Sequence, residues 1–159
     1  MAKKTRQTKT LPIYVLNGPN LNLLGVREPE VYGYTTLAQI EQMCATQAAS
    51  HGLSIVFRQS NREGEIVDHL QEARTAGSAV IINPAGYGHT SIAILDSIQA
   101  CGLPVIEVHL SNIHRREPYR NHSYVSKGAT GIIMGLGAQG YVRAVDAVAD
   151  ILSAKGKTK

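Results

Sequence analysis

Five short runs of β-branched and apolar residues recur along the 159-residue chain, each followed by polar loop residues. That pattern limits the folds open to the chain more than any other feature. The runs are LPIYVLN at 11–17, LSIVFR at 53–58, AVIIN at 79–83, PVIEVHL at 104–110 and TGIIM at 130–134. Near-continuous apolar strands of this length are covered on both faces, as in a parallel sheet. Helical spacing fills most of the gaps between them. Thr35 or Thr36 can cap a helix with Leu37, Ile40, Met43 and Cys44 on one face, ended by Gly52. Ile66, Val67, Leu70 and Ala73 mark a second helix stopped by Gly77, and Ile92, Ile94, Leu95 and Ile98 a third stopped by Gly102. Residues 139–154 give the last, with Val142, Val145, Val148, Ala149 and Leu152 turned inward. The connection at 114–127 is polar, carries Pro118 and has no helical period.

Alternating strands and helices with right-handed crossovers leave few ways to wind the chain. Five strands fit a three-layer α/β architecture, flavodoxin-like, with a parallel sheet in the order 2-1-3-4-5 and helices on both faces. One domain over residues 11–154 is expected, between basic tails at 1–10 and 155–159 that are too polar to fold alone. Ligands of such sheets bind outside the carboxyl ends of the strands, near the reversal of strand order. The polar residues stand at those ends: 17–20 after strand one, 59–61 after strand two, 83–89 after strand three and 109–112 after strand four.

A formal net charge of +4 raises the question of nucleic acid, and the location of the charge answers it. Lys3, Lys4, Arg6, Lys9, Lys155, Lys157 and Lys159 lie in the tails without an acid among them. Residues 11–154 hold nine Lys and Arg against twelve Asp and Glu, a net of −3, so the expected domain has no surplus of positive charge for a phosphate backbone. No nucleic-acid or membrane partner is expected. No window approaches the roughly 18 apolar residues of a membrane span, and the basic N-terminus lacks the apolar stretch of a signal peptide. Cys44 and Cys101 have no CxxC spacing and read as free buried thiols, which fits a cytoplasmic setting.

Glu107 and His109 are two apart on strand four and so point to one face of a buried strand, where neither is tolerated unpaired. A carboxylate that orients an imidazole for acid or base work satisfies both; a purely structural pair is the competing interpretation. Leu110, Ser111 and Asn112 then offer a hydroxyl and successive backbone N–H groups suited to a small anion, or simply a turn. In the loop NPAGYGHTS, Asn83 and His89 face the same crevice, and Asp96 follows about two turns into the next helix. The glycine pattern GLGAQG at 135–140 matches a dinucleotide fingerprint but lacks the later strand and acidic residue that fingerprint requires, so helix–sheet packing accounts for it. The histidines have no metal-ligand spacing, no GxSxG elbow is present, and Lys127 is the only lysine between residues 10 and 155. Metal and Schiff-base chemistry are both poorly supported.

Taken together, the stretches NGPNLNLLGVREPEVYG at 17–33, RQSNREGEIVDHL at 58–70, NPAGYGHTSIAILD at 83–96, IEVHLSNIHRREPYRNHSYVS at 106–126 and GLGAQGY at 135–141 resemble the type II 3-dehydroquinate dehydratases, or type II dehydroquinases. The resemblance runs in order over residues 17–141. It implies the reversible anti elimination of water from 3-dehydroquinate to 3-dehydroshikimate, in the shikimate pathway, through an enolate and without metal, cofactor or covalent imine. The unrelated Schiff-base enzymes of this reaction resemble (β/α)8 barrels, which at about 250 residues need a longer chain.

By this resemblance Tyr32 is the base that removes the C2 proton. A free phenol titrates near pH ~10, so a cation must favour its phenolate, and Arg27 on the same loop is the matching residue. Asn20 matches the residue that stabilises the enolate oxygen, commonly through a bound water. His109 matches the acid for the departing C1 hydroxyl, and Glu107 its partner. Leu110 and Ser111 match the substrate-carboxylate site, while Asn83, His89 and Arg120 match the ring-hydroxyl contacts. Asp96 matches a residue that reaches the site of an adjacent subunit, since the family forms trimers grouped into dodecamers. Pro29, Gly33 and the glycines of 18–25 suit a loop that closes over substrate. Two departures from the family pattern stand out: Gly88 where a threonine usually precedes the histidine, and Ala85-Gly86 where Gly-Ala is frequent. A flavodoxin-like module that only binds a small anion is the alternative built on the same strand ends.

Overall fold

A computed structural model of the chain describes residues 10–156. Five strands, β1 (Ile13–Asn17), β2 (Ile55–Gln59), β3 (Ala79–Asn83), β4 (Val105–His109) and β5 (Gly131–Met134), pair in parallel in the order β2-β1-β3-β4-β5. This is the expected flavodoxin-like order. Every residue of β1, β3 and β4 is buried, because these strands have neighbours on both edges and helices on both faces. The edge strands β2 and β5 keep partial exposure.

The helices are α1 (Pro29–Tyr32), α2 (Leu37–Ser50), α3 (Glu63–Ala76), α4 (Ile92–Cys101) and α5 (Gln139–Gly156). Strand periodicity of two divides the core between them. Ile13, Val15, Ile81 and Val108 face Ile40, Cys44 and Ala48 of α2 and Tyr141, Val145 and Val148 of α5. Tyr14, Leu16, Val80, Ile82 and Val105 face Ile66, Leu70 and Ala73 of α3 and Ile94 and Ile98 of α4. Glu107 and His109 share parity with Val105 and therefore turn to the α3/α4 side, carrying polar groups into an apolar layer.

Local signals explain where the helices start. Of the two candidate caps for α2, Thr36 is the one used: its Oγ1 accepts from the Gln39 amide at 3.2 Å, and Gln39 Oε1 accepts from the Thr36 amide at 2.8 Å. Ser91 Oγ caps α4 by accepting from the Ile94 amide at 2.9 Å. β2 begins at Ile55 rather than 53, because the Leu53 amide is spent closing α2 onto the Ala48 carbonyl at 2.9 Å. α5 runs to Gly156, past the expected end at 154. The expectation of disordered tails falls on residues 1–9 and 157–159, which lie outside the described residues.

Between β4 and β5 no α-helix forms; three 3-10 turns, Ile113–Arg115, Pro118–Arg120 and Val125–Lys127, fold the polar connector back over the strand ends. Cys44 and Cys101 are free and buried, and burial pushes the Cys44 thiol up to about 12. Among the described residues no helix is long and apolar enough to cross a membrane.

Candidate active site

The carboxyl ends of β1 and β3 are drawn together by main-chain contact. The Gly18 amide donates to the Asn83 carbonyl at 2.8 Å, and a Cβ at Gly18 would lie 2.4 Å from the Pro84 carbonyl oxygen. Only glycine permits that approach. Beneath it sits Tyr141 from α5, wholly buried. Its hydroxyl donates to Asn17 Oδ1 at 2.8 Å and accepts from Asn83 Nδ2 at 2.9 Å, while burial pushes its own ionisation up. Asn83 Oδ1 in turn accepts from the Ala85 amide at 3.1 Å, which leaves one Nδ2 hydrogen of Asn83 for the cavity above.

A cavity of about 160 Å³ opens on this floor. It is lined by nine of the eleven residues expected from the sequence: Asn20, Arg27, Tyr32, Asn83, His89, His109, Leu110, Ser111 and Arg120. Glu107 stands behind His109, and Asp96 is exposed on α4, outside the cavity. Asn20 is fixed in the left-handed region, φ 67°, by a hydrogen bond that its backbone N–H donates to Asn61 Oδ1 at 2.9 Å. Gln59 Nε2 holds the same Asn61 oxygen at 3.1 Å, so the end of β2 sets the first loop.

Glu107 has no exposed surface and accepts three hydrogen bonds. His109 Nε2 lies 2.6 Å from its Oε1, Ser123 Oγ donates to the same oxygen at 2.6 Å, and Ser126 Oγ donates to Oε2. Burial works against the charge, but the bonds from His109, Ser123 and Ser126 outweigh it and hold the carboxyl below its usual range. The folded value lies below the unfolded one. The stabilisation is therefore complete above the ordinary carboxylate range and is lost as pH falls through the folded value.

His89 packs its ring on that of His109, centroids 6.4 Å apart and planes 17° apart. Its Nδ1 lies 2.7 Å from the His122 carbonyl, an atom that only accepts, so Nδ1 carries the hydrogen and Nε2 is left as an acceptor in the neutral ring. Burial lowers its basicity, opposed by the hydrogen bond to the His122 carbonyl and aided by repulsion from the nearby Arg120 guanidinium and the imidazoles of His109 and His122. A neutral acceptor at this place suits a substrate hydroxyl.

The tyrosine differs from expectation in one respect. Arg116 Nη1 donates to the Tyr32 hydroxyl at 2.8 Å, whereas Arg27, the cation expected there, pairs with Glu28 at 3.3 Å. Both guanidiniums lie over the phenol ring, at 5.4 Å for Arg27 and 5.3 Å for Arg116. Arg116 was missed because it sits in the aperiodic connector. The available signal was a pair of arginines just past the end of β4, where the strand-end rule places ligand contacts. Among the described residues no cluster of three or more His, Cys, Asp or Glu is placed to hold a metal ion.

Ala85 adopts φ 50°, a left-handed value that costs a residue with a Cβ about 1–2 kcal/mol. Ala85→Gly is therefore expected to stabilise the fold by about 1 kcal/mol, after the added freedom of glycine in the unfolded chain is discounted. Urea unfolding checks this, and a lower midpoint would contradict it.

The model of the family described as dehydroquinase class II matches residues 11–149. A 3-dehydroquinate dehydratase of Streptomyces coelicolor is 56% identical over 150 residues, covering 94% of this chain and 96% of the relative. One from Phenylobacterium zucineum is 59% identical over 140 residues, covering 88% and 97%. Among solved structures, the type II dehydroquinase of Propionibacterium acnes superposes with a TM-score of 0.85 at 41% identity, covering 89% of this chain and 97% of the other. That of Butyrivibrio crossotus also gives 0.85, at 38% identity, covering 87% and 97%.

Proposed function

The chain belongs to the class II dehydroquinase family, and from that premise we propose that Tyr32 and His109 divide the elimination between them as base and acid. The enzyme is a hydro-lyase, and its reaction is the dehydration of 3-dehydroquinate in the shikimate pathway. One observation carries the division of labour. A single cavity holds a phenol hydrogen-bonded by Arg116 and a histidine paired to a buried carboxylate.

The Tyr32 oxygen takes the C2 proton, and the electron pair of the broken C–H bond moves into the C3 carbonyl to give an enolate. Asn20 lies where a polar side chain offsets the charge gathering on that oxygen. As the enolate collapses to form the C1–C2 double bond, the C1 hydroxyl leaves with a proton from His109, and water is released. Proton exchange with solvent then resets both groups. Leu110 and Ser111 hold the substrate carboxylate, and Asn83, His89 and Arg120 hold the ring hydroxyls. Incubation with 3-dehydroquinate should produce the enone absorbance of 3-dehydroshikimate; folded protein that leaves the substrate unchanged would instead support the anion-binding alternative.

Two cations serve the base in this scheme. Removing the one that donates to the phenol oxygen, in Arg116→Ala, is expected to lower kcat by about 10²–10³-fold, the usual cost of one preorganised donor at a charged centre. Arg27→Ala should also lower kcat. Steady-state rates with circular dichroism as a control decide the point, and an Arg116→Ala enzyme at the normal rate would remove Arg116 from the scheme.

A cytoplasmic homo-oligomer, a dodecamer built as a tetramer of trimers, completes the proposal. Its support is Asp96, which is exposed on α4 and outside its own cavity, as a residue serving a neighbouring copy must be. Light scattering tests the assembly.

A further inference from the structure

Ser123 and Ser126 stand outside the cavity, on the connector between β4 and β5, yet both hydroxyls donate to the carboxylate behind the acid. We propose that these two serines are positioning residues for the acid half of the reaction: they clamp Glu107 from the side opposite the substrate, so that His109 is aimed to protonate the departing hydroxyl. The inference rests on the roles given above to Tyr32 and His109.

The geometry behind it is specific. Glu107 Oε1 is shared between His109 Nε2 and Ser123 Oγ, both at 2.6 Å, and Oε2 is taken by Ser126. All three of these partners donate, which is what an ionised carboxylate requires and what a protonated one would have to disrupt. With Nε2 committed to Glu107, Nδ1 is the ring nitrogen left for the cavity. Rotation of the carboxylate would carry the imidazole with it, and the two hydroxyls oppose that rotation from two directions. Ser123 is itself held in place: the adjacent Tyr124 amide donates to the Gly88 carbonyl at 2.8 Å, and Ser123 Oγ would lie 3.3 Å from a Cβ at residue 88. Gly88, with no Cβ, thus gives the serine room to sit against Glu107. The groups facing His109 are Glu107 on its own strand, His89 after β3, and Arg27, Tyr32, Arg116 and Arg120 around the cavity.

A serine that serves only to fill space would affect both halves of the reaction alike, and a clamp on the acid would not. The test compares Ser123→Ala, Ser126→Ala and the double variant in two assays: dehydration by enone absorbance, and exchange of the C2 hydrogen with deuterated water. Each single variant is expected to lower kcat for dehydration about tenfold and the double variant about 100-fold, the scale of hydrogen bonds to a charged group. Exchange should stay within about threefold of the unmodified enzyme, and Ser123→Thr, which restores a hydroxyl, should recover most of the dehydration rate. Parallel loss of exchange and dehydration, or a double variant at the normal rate, would overturn the proposal. If the double variant does not fold, the two single variants carry the same comparison. Failure of the unmodified chain to exchange or dehydrate the substrate would overturn the base-and-acid scheme itself.

Discussion

Tyr32→Phe is expected to lower kcat by about 10²–10⁴-fold, the range over which a positioned base contributes to proton transfer. The substitution removes one oxygen and little else. The Tyr32 ring packs partly buried against the α2/α5 core layer, so phenylalanine retains that contact and the fold should unfold at the same temperature within a few degrees. In the proposed scheme the substrate groups assigned to Ser111, His89 and Arg120 do not touch the missing oxygen, so KM should change much less than kcat. That combination marks an interaction realised only in the transition state. Arg116 loses its acceptor in the variant but keeps its ion pair with Glu117, at 3.7 Å, so no orphaned charge complicates the comparison. A variant with near-normal kcat would remove Tyr32 as the base.

His109→Ala should separate the two halves of the reaction. Dehydration is expected to fall by about 10²–10⁴-fold, because the departing hydroxyl would leave as hydroxide. Exchange of the C2 hydrogen with deuterated water should continue, since enolate formation in the proposed scheme needs only Tyr32, its arginines and Asn20. The variant also leaves the buried Glu107 carboxylate with its two serine donors and without its histidine, so a loss of stability is expected alongside. The exchange assay is insensitive to that loss provided the protein is folded. If exchange stops as well, His109 takes part in proton abstraction and the stepwise scheme is wrong.

The sheet could be deduced from the sequence because burial on both faces leaves a plain chemical trace. β1, β3 and β4 are apolar runs without alternation, and their order followed from topology rather than from any single residue. The strand-end rule then gathered Asn20, Asn83, His89 and His109 without knowledge of a reaction. Tyr32 was another matter. It lies on the four-residue helix α1, too short for any period to register, and a partly buried tyrosine there has no spacing that distinguishes a base from a packing residue; only the resemblance singled it out. Arg116, Ser123 and Ser126 were hidden for a related reason. They belong to a connector whose 3-10 turns are set by tertiary contacts, so what they touch is decided 84 residues away in the case of Arg116 and Tyr32. Chemistry at the strand ends was visible, and chemistry carried by the short helix α1 and the β4–β5 connector was not.

The hydroxyl of Tyr141 bridges the ends of β1 and β3, and its partner Asn17 lies 124 positions earlier in the chain. During synthesis, the first loop and the side chains proposed for catalysis emerge long before the residue that props them up. Until the last helix docks, the side chains of Asn17 and Asn83 lack the phenol that joins them, so a nascent or C-terminally clipped polypeptide would carry the reactive groups without that part of their scaffold. Turnover is thereby expected to depend on α5 being in place. An activity measurement on this protein doubles as an assay of finished folding.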